Sequence, residues 1–215
     1  MTFDLPHPDF RSALAAQPVI AVVRAPSIPD APALCEALAA GGIAWTELTY
    51  STPGVGAHLR AGAAAGHRLG AGTVLTAAQA REAVDAGVAF LVTPGVRPEV
   101  AEVAHEAGVP VVLGALTPTE VAMALDLGTA AVKIFPARAF GPGYFKDLRG
   151  PYPGLPLVAS GGVNAANAAE FLAQGALAVC AGTEVVPPEV VAAGNWDEIT
   201  RRARAFVAAV ESASK

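Results

Sequence analysis

At 215 residues the chain has room for one domain with a sizeable core and too little for two, so a single domain over residues 1–215 is expected. Apolar residues make up 53% and charged residues 15%, which excludes an intrinsically disordered chain. A net charge of −5 argues against a nucleic-acid surface, which needs clustered Lys and Arg, but permits a small anionic ligand held by a local group of donors.

The N-terminal stretch has no basic start ahead of an apolar run, so no signal peptide is expected, and no apolar run suits a membrane span. A first short helix is predicted over 10–16. Eight apolar runs follow as candidate strands, at 19–24, 45–50, 68–73, 90–94, 109–115, 131–136, 156–160 and 178–183. Most are continuously apolar rather than alternating, as parallel strands covered by helices on one side and a packed interior on the other should be. Ala-rich stretches of helical period separate them. Gly42, Gly66, Gly87, Gly108, Gly128 and Gly175 end such stretches, where a residue that tolerates left-handed backbone closes a helix ahead of the next strand. A long helix is predicted over 196–213. Strand and helix thus alternate eight times, which predicts a single (β/α)8 TIM barrel with an extra N-terminal helix; a doubly wound open sheet is the alternative.

In such a barrel the functional groups gather at the C-terminal ends of the strands. There the runs carry Arg24, Glu47 with Thr49, Thr73, Thr93-Pro94-Gly95, Lys133, Ser160-Gly161-Gly162 and Gly182-Thr183. Lys133 is one of three lysines and alone lies inside an apolar strand. A buried ammonium is costly unless paired or deprotonated, and a neutral amine can attack a ketone. Glu47, also in an apolar strand, is the candidate proton carrier. A structural ion pair between the two is the plainer alternative.

Arg24 suits a keto acid's carboxylate through its planar fork, or else snorkels to solvent. Ser160, Gly161, Gly162, Gly182 and Thr183 form a candidate phosphate site built from backbone N–H groups and a helix N-terminus, although Asn164 would serve equally as a helix cap. Leu69-Gly-Ala-Gly-Thr73 lacks the third glycine of a dinucleotide loop. His7, His58, His67 and His105 show no metal spacing and are expected at the surface; no metal or cofactor is expected. Cys35 and Cys180 read as two buried thiols of a cytoplasmic protein.

Taken together, Glu47 in Thr46-Glu-Leu-Thr49, Gly70-Ala-Gly-Thr-Val74, Val92-Thr-Pro-Gly95, Lys133-Ile-Phe-Pro136, Gly141-Pro142 and Ser160-Gly-Gly-Val163 resemble the 2-keto-3-deoxy-6-phosphogluconate (KDPG) and 4-hydroxy-2-oxoglutarate (KHG) aldolase family, over roughly residues 18–190. The resemblance implies a metal-free class I aldolase, usually a homotrimer, that cleaves its substrate to pyruvate and an aldehyde. It implies Lys133 as the Schiff-base lysine and Glu47 as the general acid/base. Arg24 and Thr73 fall at pyruvate-site positions, Pro94 at a further substrate-binding position, Phe135 beside the Schiff base, and Ser160, Gly161, Gly162, Gly182 and Thr183 on phosphate-binding segments. Many members carry an Arg where this chain has Ser51, and some branches use the strand 1 Arg instead, as Arg24 would here. The phosphorylated gluconate substrate is the leading expectation; 4-hydroxy-2-oxoglutarate and the phosphogalactonate variant are its alternatives. A barrel isomerase or synthase, and a non-catalytic sugar-phosphate sensor, are the readings outside the family's activity.

Overall fold

The six glycines predicted to close helices all adopt positive φ, between 65° and 97°, in a computed structural model that describes residues 5–212. Each is followed by a strand. The strands are β1 (Val19–Val23), β2 (Trp45–Thr49), β3 (Arg68–Gly72), β4 (Phe90–Val92), β5 (Val111–Ala115), β6 (Ala131–Ile134), β7 (Leu157–Ala159) and β8 (Ala176–Ala181). All pair in parallel with their sequence neighbours, and β8 returns to β1 through Val19↔Val179, Ile20↔Cys180 and Ala21↔Ala181. The sheet is therefore a closed eight-stranded barrel, and the open-sheet alternative falls.

The predicted apolar runs overshoot the strand ends because the chain stays apolar or small as it leaves the ladder. The strand in the run at 131–136 ends at Ile134 and that in the run at 90–94 at Val92, with one further N–H each, from Phe135 and Thr93, still donating to the neighbouring strand. The strand predicted over 178–183 starts earlier, at Ala176, and stops at Ala181.

Helices α1 (Pro8–Ala16), α2 (Ala31–Ala40), α3 (Val55–Ala64), α4 (Ala77–Asp85), α5 (Pro98–Glu106), α6 (Pro118–Asp126), α7 (Gly143–Arg149), α8 (Ala168–Ala173), α9 (Pro188–Ala192) and α10 (Trp196–Ser212) surround it. The predicted long helix is α10; its Ala213 end lies outside the described residues. It is not an appendage to the repeat. It follows β8, packs against α2 and α8, and donates from Thr200 Oγ1 to the Ala37 carbonyl at 2.9 Å, so it closes the helical ring. Gly41 lets the two helices meet, since a Cβ there would lie 2.4 Å from that of Ala203.

Period-two alternation sorts the strand residues into two cores. Outward residues such as Val23, Leu48, Leu91, Leu113, Ile134 and Val179 pack under the helices. Inward residues Ile20, Trp45, Phe90, Val92, Val112, Ala131, Val158, Ala178 and Cys180 fill the barrel. Its N-terminal end is plugged by α1, whose Phe10 and Leu14 join that inner cluster. Phe10 meets Trp45 edge-on at 5.5 Å, and Trp45 meets Phe90 at 5.7 Å. With the bottom closed by aromatics, the open end is the C-terminal one.

Candidate active site

Lys133 and Glu47 both occupy inward positions above that aromatic floor. Register places Lys133 opposite Gly114 on β5, and Glu47 between Val22 on β1 and Gly70 on β3. Their charged ends approach to 3.6 Å, Nζ to Oε1, with side chains only 8% and 1% exposed. That is an ion-pair distance, longer than a good hydrogen bond. Glu47 Oε1 is buried and accepts no hydrogen bond among the described residues. A buried carboxylate oxygen without a donor is costly unless something at the site uses it.

Three small residues make this pair possible. A Cβ on Gly72 would lie 1.9 Å from Glu47 Oε1, so β3 must be bare where the carboxylate stands. A Cβ on Gly70 would lie 2.4 Å from the Phe90 ring. A Cβ on Gly114 would lie 2.2 Å from the Pro94 carbonyl carbon, so the loop after β4 can lean over β5 toward the mouth. That loop is latched by buried Thr93, whose hydroxyl donates to the Gly95 carbonyl at 2.6 Å and accepts from the Gly114 N–H at 3.1 Å.

Around this centre the structure brings the sequence-predicted residues to one rim. Arg24 follows β1 on the inward phase, is exposed, and takes part in no ion pair or hydrogen bond among the described residues. Thr73 follows β3 with φ 55°, a left-handed conformation for a β-branched residue. Such strain costs on the order of 1–3 kcal/mol and collects where surrounding structure imposes it. Pro94 is half-buried. Phe135 is 40% exposed despite its size, and its ring lies 5.7 Å from Lys133 Nζ. Thr49, by contrast, serves the wall. Its hydroxyl donates to the Val23 carbonyl at 3.1 Å, and Ser51 bonds back to it at 2.8 Å. The Ser51 hydroxyl is thus tied to β2.

Ser160 is buried at the end of β7, close enough to Cys180 for its hydroxyl to pull that thiol down. Burial pushes the Cys180 thiol up to about 11, with Lys133 pulling it down and Glu47 pushing it further up. This cysteine therefore sits within reach of both site charges, a placement that burial alone did not predict. Gly161, Gly162, Gly182 and Thr183 present backbone N–H groups that donate to no protein acceptor among the described residues.

The helix N-terminus expected beside them is not open. Asn164 Oδ1 accepts from the N–H groups of Ala166 and Asn167, Asn167 Oδ1 accepts from Asn164, and Glu184 Oε2 accepts from Ala165. Asn164 closes the turn ahead of α8 rather than capping the helix itself, whose N-cap position is Asn167. Free donors for an anion come from the two glycine loops instead. His105 is exposed as expected, whereas His7, His58 and His67 are half-buried. Among the described residues no group of three His, Cys, Asp or Glu could hold a metal, and no helix is long and apolar enough to cross a membrane.

Sequence reading missed Gly72, Gly114 and Cys180. The signal for Gly72 is present: two glycines at alternate positions of one strand, beside the strand that carries the buried carboxylate.

Comparison with known proteins agrees with this geometry. The family model described as KDPG and KHG aldolase matches residues 10–202. A 2-dehydro-3-deoxy-phosphogluconate aldolase of Treponema pallidum is 37% identical over 185 residues, 85% of this chain and 88% of that protein. Among solved structures, the KDPG aldolase of Legionella pneumophila, described as holding pyruvate as a covalent carbinolamine, superposes with a TM-score of 0.84 at 32% identity, over 91% of this chain and 97% of that one. A structure described as native KDPGal superposes with a TM-score of 0.84 at 29% identity, over 99% of this chain and 98% of that one.

Proposed function

This chain belongs to the KDPG and KHG aldolase family and is an aldehyde-lyase; from that premise we propose that it cleaves 2-keto-3-deoxy-6-phosphogluconate reversibly to pyruvate and glyceraldehyde 3-phosphate through a Schiff base on Lys133. The observation that carries the reading is the buried Lys133–Glu47 pair, 3.6 Å apart at the open end of the barrel.

In this mechanism the neutral Lys133 amine attacks the C2 ketone, and the carbinolamine loses water to give a protonated imine. Glu47 supplies and takes the protons of that step from its otherwise unbonded Oε1. The same carboxylate then accepts the C4 hydroxyl proton. The C3–C4 bond breaks, its electron pair flows into the imine to form an enamine, and the aldehyde leaves. Protonation at C3 and hydrolysis release pyruvate and restore the amine. The imine stabilises charge that exists only once the bond is breaking.

Arg24 and Thr73 hold the pyruvate carboxylate, with Pro94 and Phe135 flanking the imine. Ser160, Gly161, Gly162, Gly182 and Thr183 hold the phosphate. Acting without metal or cofactor, as a cytoplasmic homotrimer, belongs to the same proposal; light scattering should return three times the mass of one chain.

One observation favours a second reading. Ser51 is tied to Thr49 and leaves Arg24 as the cation for the carboxylate, and the KDPGal structure matches nearly the whole chain. The phosphogalactonate epimer is therefore a second candidate substrate, beside 4-hydroxy-2-oxoglutarate.

The test is borohydride reduction in the presence of pyruvate, read by mass spectrometry of the peptide containing Lys133. A reduced three-carbon adduct on Lys133 is expected, and it should vanish in Lys133→Met. Folded protein that acquires no mass there would refute the mechanism. Turnover on the three substrates then ranks them.

A further inference from the structure

The turn that follows Lys133 is stitched to the glycine loop after β7. In that single 3-10 turn, Ala137–Ala139, the Ala137 N–H donates to the Ser160 carbonyl at 2.7 Å and the Arg138 N–H to the Gly161 carbonyl at 3.0 Å. Two side chains flank the loop. A Cβ on Gly161 would lie 3.0 Å from Phe135 Cε2, and a Cβ on Gly162 would lie 2.5, 3.1 and 3.0 Å from Arg138 Cβ, Cγ and Cδ. The aliphatic stem of Arg138 therefore runs across the bare face of Gly162.

Beyond that stem the guanidinium is in no ion pair and no side-chain hydrogen bond among the described residues, and the residue is exposed. Gly162, whose bare face the stem crosses, and its neighbour Gly161 have N–H groups without acceptors among the described residues. Fixed N–H donors and a free planar cation in one place form the donor set that a phosphate monoester dianion takes up.

We infer that Arg138 is a specificity-determining residue that recognises the phosphate at the far end of the substrate from the reacting ketone. The inference rests on the phosphate site of the proposed function, and adds to it the residue that separates phosphorylated from unphosphorylated keto acids.

The test uses Arg138→Met, which keeps the stem over Gly162 and removes the charge. On 2-keto-3-deoxy-6-phosphogluconate, kcat/KM should fall about 10- to 100-fold, mainly through KM, as for a lost charge-assisted hydrogen bond. Cleavage of the same sugar acid without phosphate, and trapping of pyruvate on Lys133, should be unchanged. An equal loss on both sugar acids, or no loss on either, would overturn the assignment. Inorganic phosphate, titrated while following the Gly161 and Gly162 amide resonances, supplies a readout independent of turnover: Kd should rise at least about tenfold in Arg138→Met, and an unchanged Kd would count against the assignment. Failure of the pyruvate adduct with this phosphate effect intact would remove the aldolase mechanism and leave Arg138 in place.

Discussion

Gly72 and Glu47 occupy the same space by turns: the carboxylate stands where the glycine has no side chain, with Oε1 1.9 Å from the position of the missing Cβ. The site is thus shaped by a strand that withholds an atom as much as by the residues that carry charge. Gly72→Ala should push the Glu47 carboxylate off its position against Lys133 while keeping β3 apolar. A misplacement of about 1 Å in a catalytic group costs about a hundredfold in rate, and removing the proton carrier outright by Glu47→Gln costs about 10²- to 10⁴-fold. Steady-state aldol cleavage, with far-ultraviolet circular dichroism to confirm the fold, checks both. Near-wild-type turnover in Gly72→Ala would mean that Glu47 has no fixed place in the chemistry.

The barrel was legible because its signals are local and repeat eight times. A helix-closing glycine followed by an apolar run needs no long-range information, and Gly42, Gly66, Gly87, Gly108, Gly128 and Gly175 all take up the predicted backbone. The β6–β7 unit breaks the pattern, since α7 runs into a turn closed by Gly154 at φ 78°, and there the sequence offered no regular spacing. Lys133 and Glu47 were legible as charges in apolar strands. Their pairing could be named as a possibility, but not its 3.6 Å geometry, which depends on register between strands separated by tens of residues. The anion donors show the same limit. Glycines after β7 and β8 could be read from the chain, but the blocking of the Asn164–Asn167 turn by Glu184 depends on a contact across 19 residues. Arg138, one turn beyond Lys133, gains its meaning only when Gly162 is seen beneath it.

Stability should respond to pH through the start of α6. Glu120 Oε2 accepts from the N–H groups of Leu116 at 2.9 Å and Thr117 at 2.8 Å and from the Thr117 hydroxyl, while Thr117 caps the Glu120 N–H in return. The backbone bond from Leu116, then that from Thr117, hold this carboxyl below its ordinary value of 4.5. A depressed folded value contributes stability that is present above the unfolded value and lost as pH falls through the folded one. Glu120→Ala should therefore cost about 1 kcal/mol near neutrality. The gap to wild type in urea unfolding should narrow once pH drops below 4.5. A gap that stays constant into acid would assign the loss to helix propensity rather than to the cap.

At the alkaline end the two thiols set the expectation. Burial, the largest cause for each, pushes Cys35 and Cys180 up to about 11 from an ordinary 9.0; Thr46 opposes it at Cys35, and Lys133 at Cys180. A raised folded value contributes stability that is complete below the unfolded value and is lost as pH rises through the folded one, here from 9.0 toward about 11. At about pH 8 both sulfurs should be protonated and enclosed, so iodoacetamide should alkylate neither in the folded protein and both in denaturant. The unfolding midpoint should decline above pH 9.0, and Cys35→Ala and Cys180→Ala should each flatten that decline. Alkylation of Cys180 in the folded enzyme, blocked by prior reduction of a pyruvate adduct on Lys133, would instead show that the thiol opens to the barrel mouth and is not sealed beneath the pair.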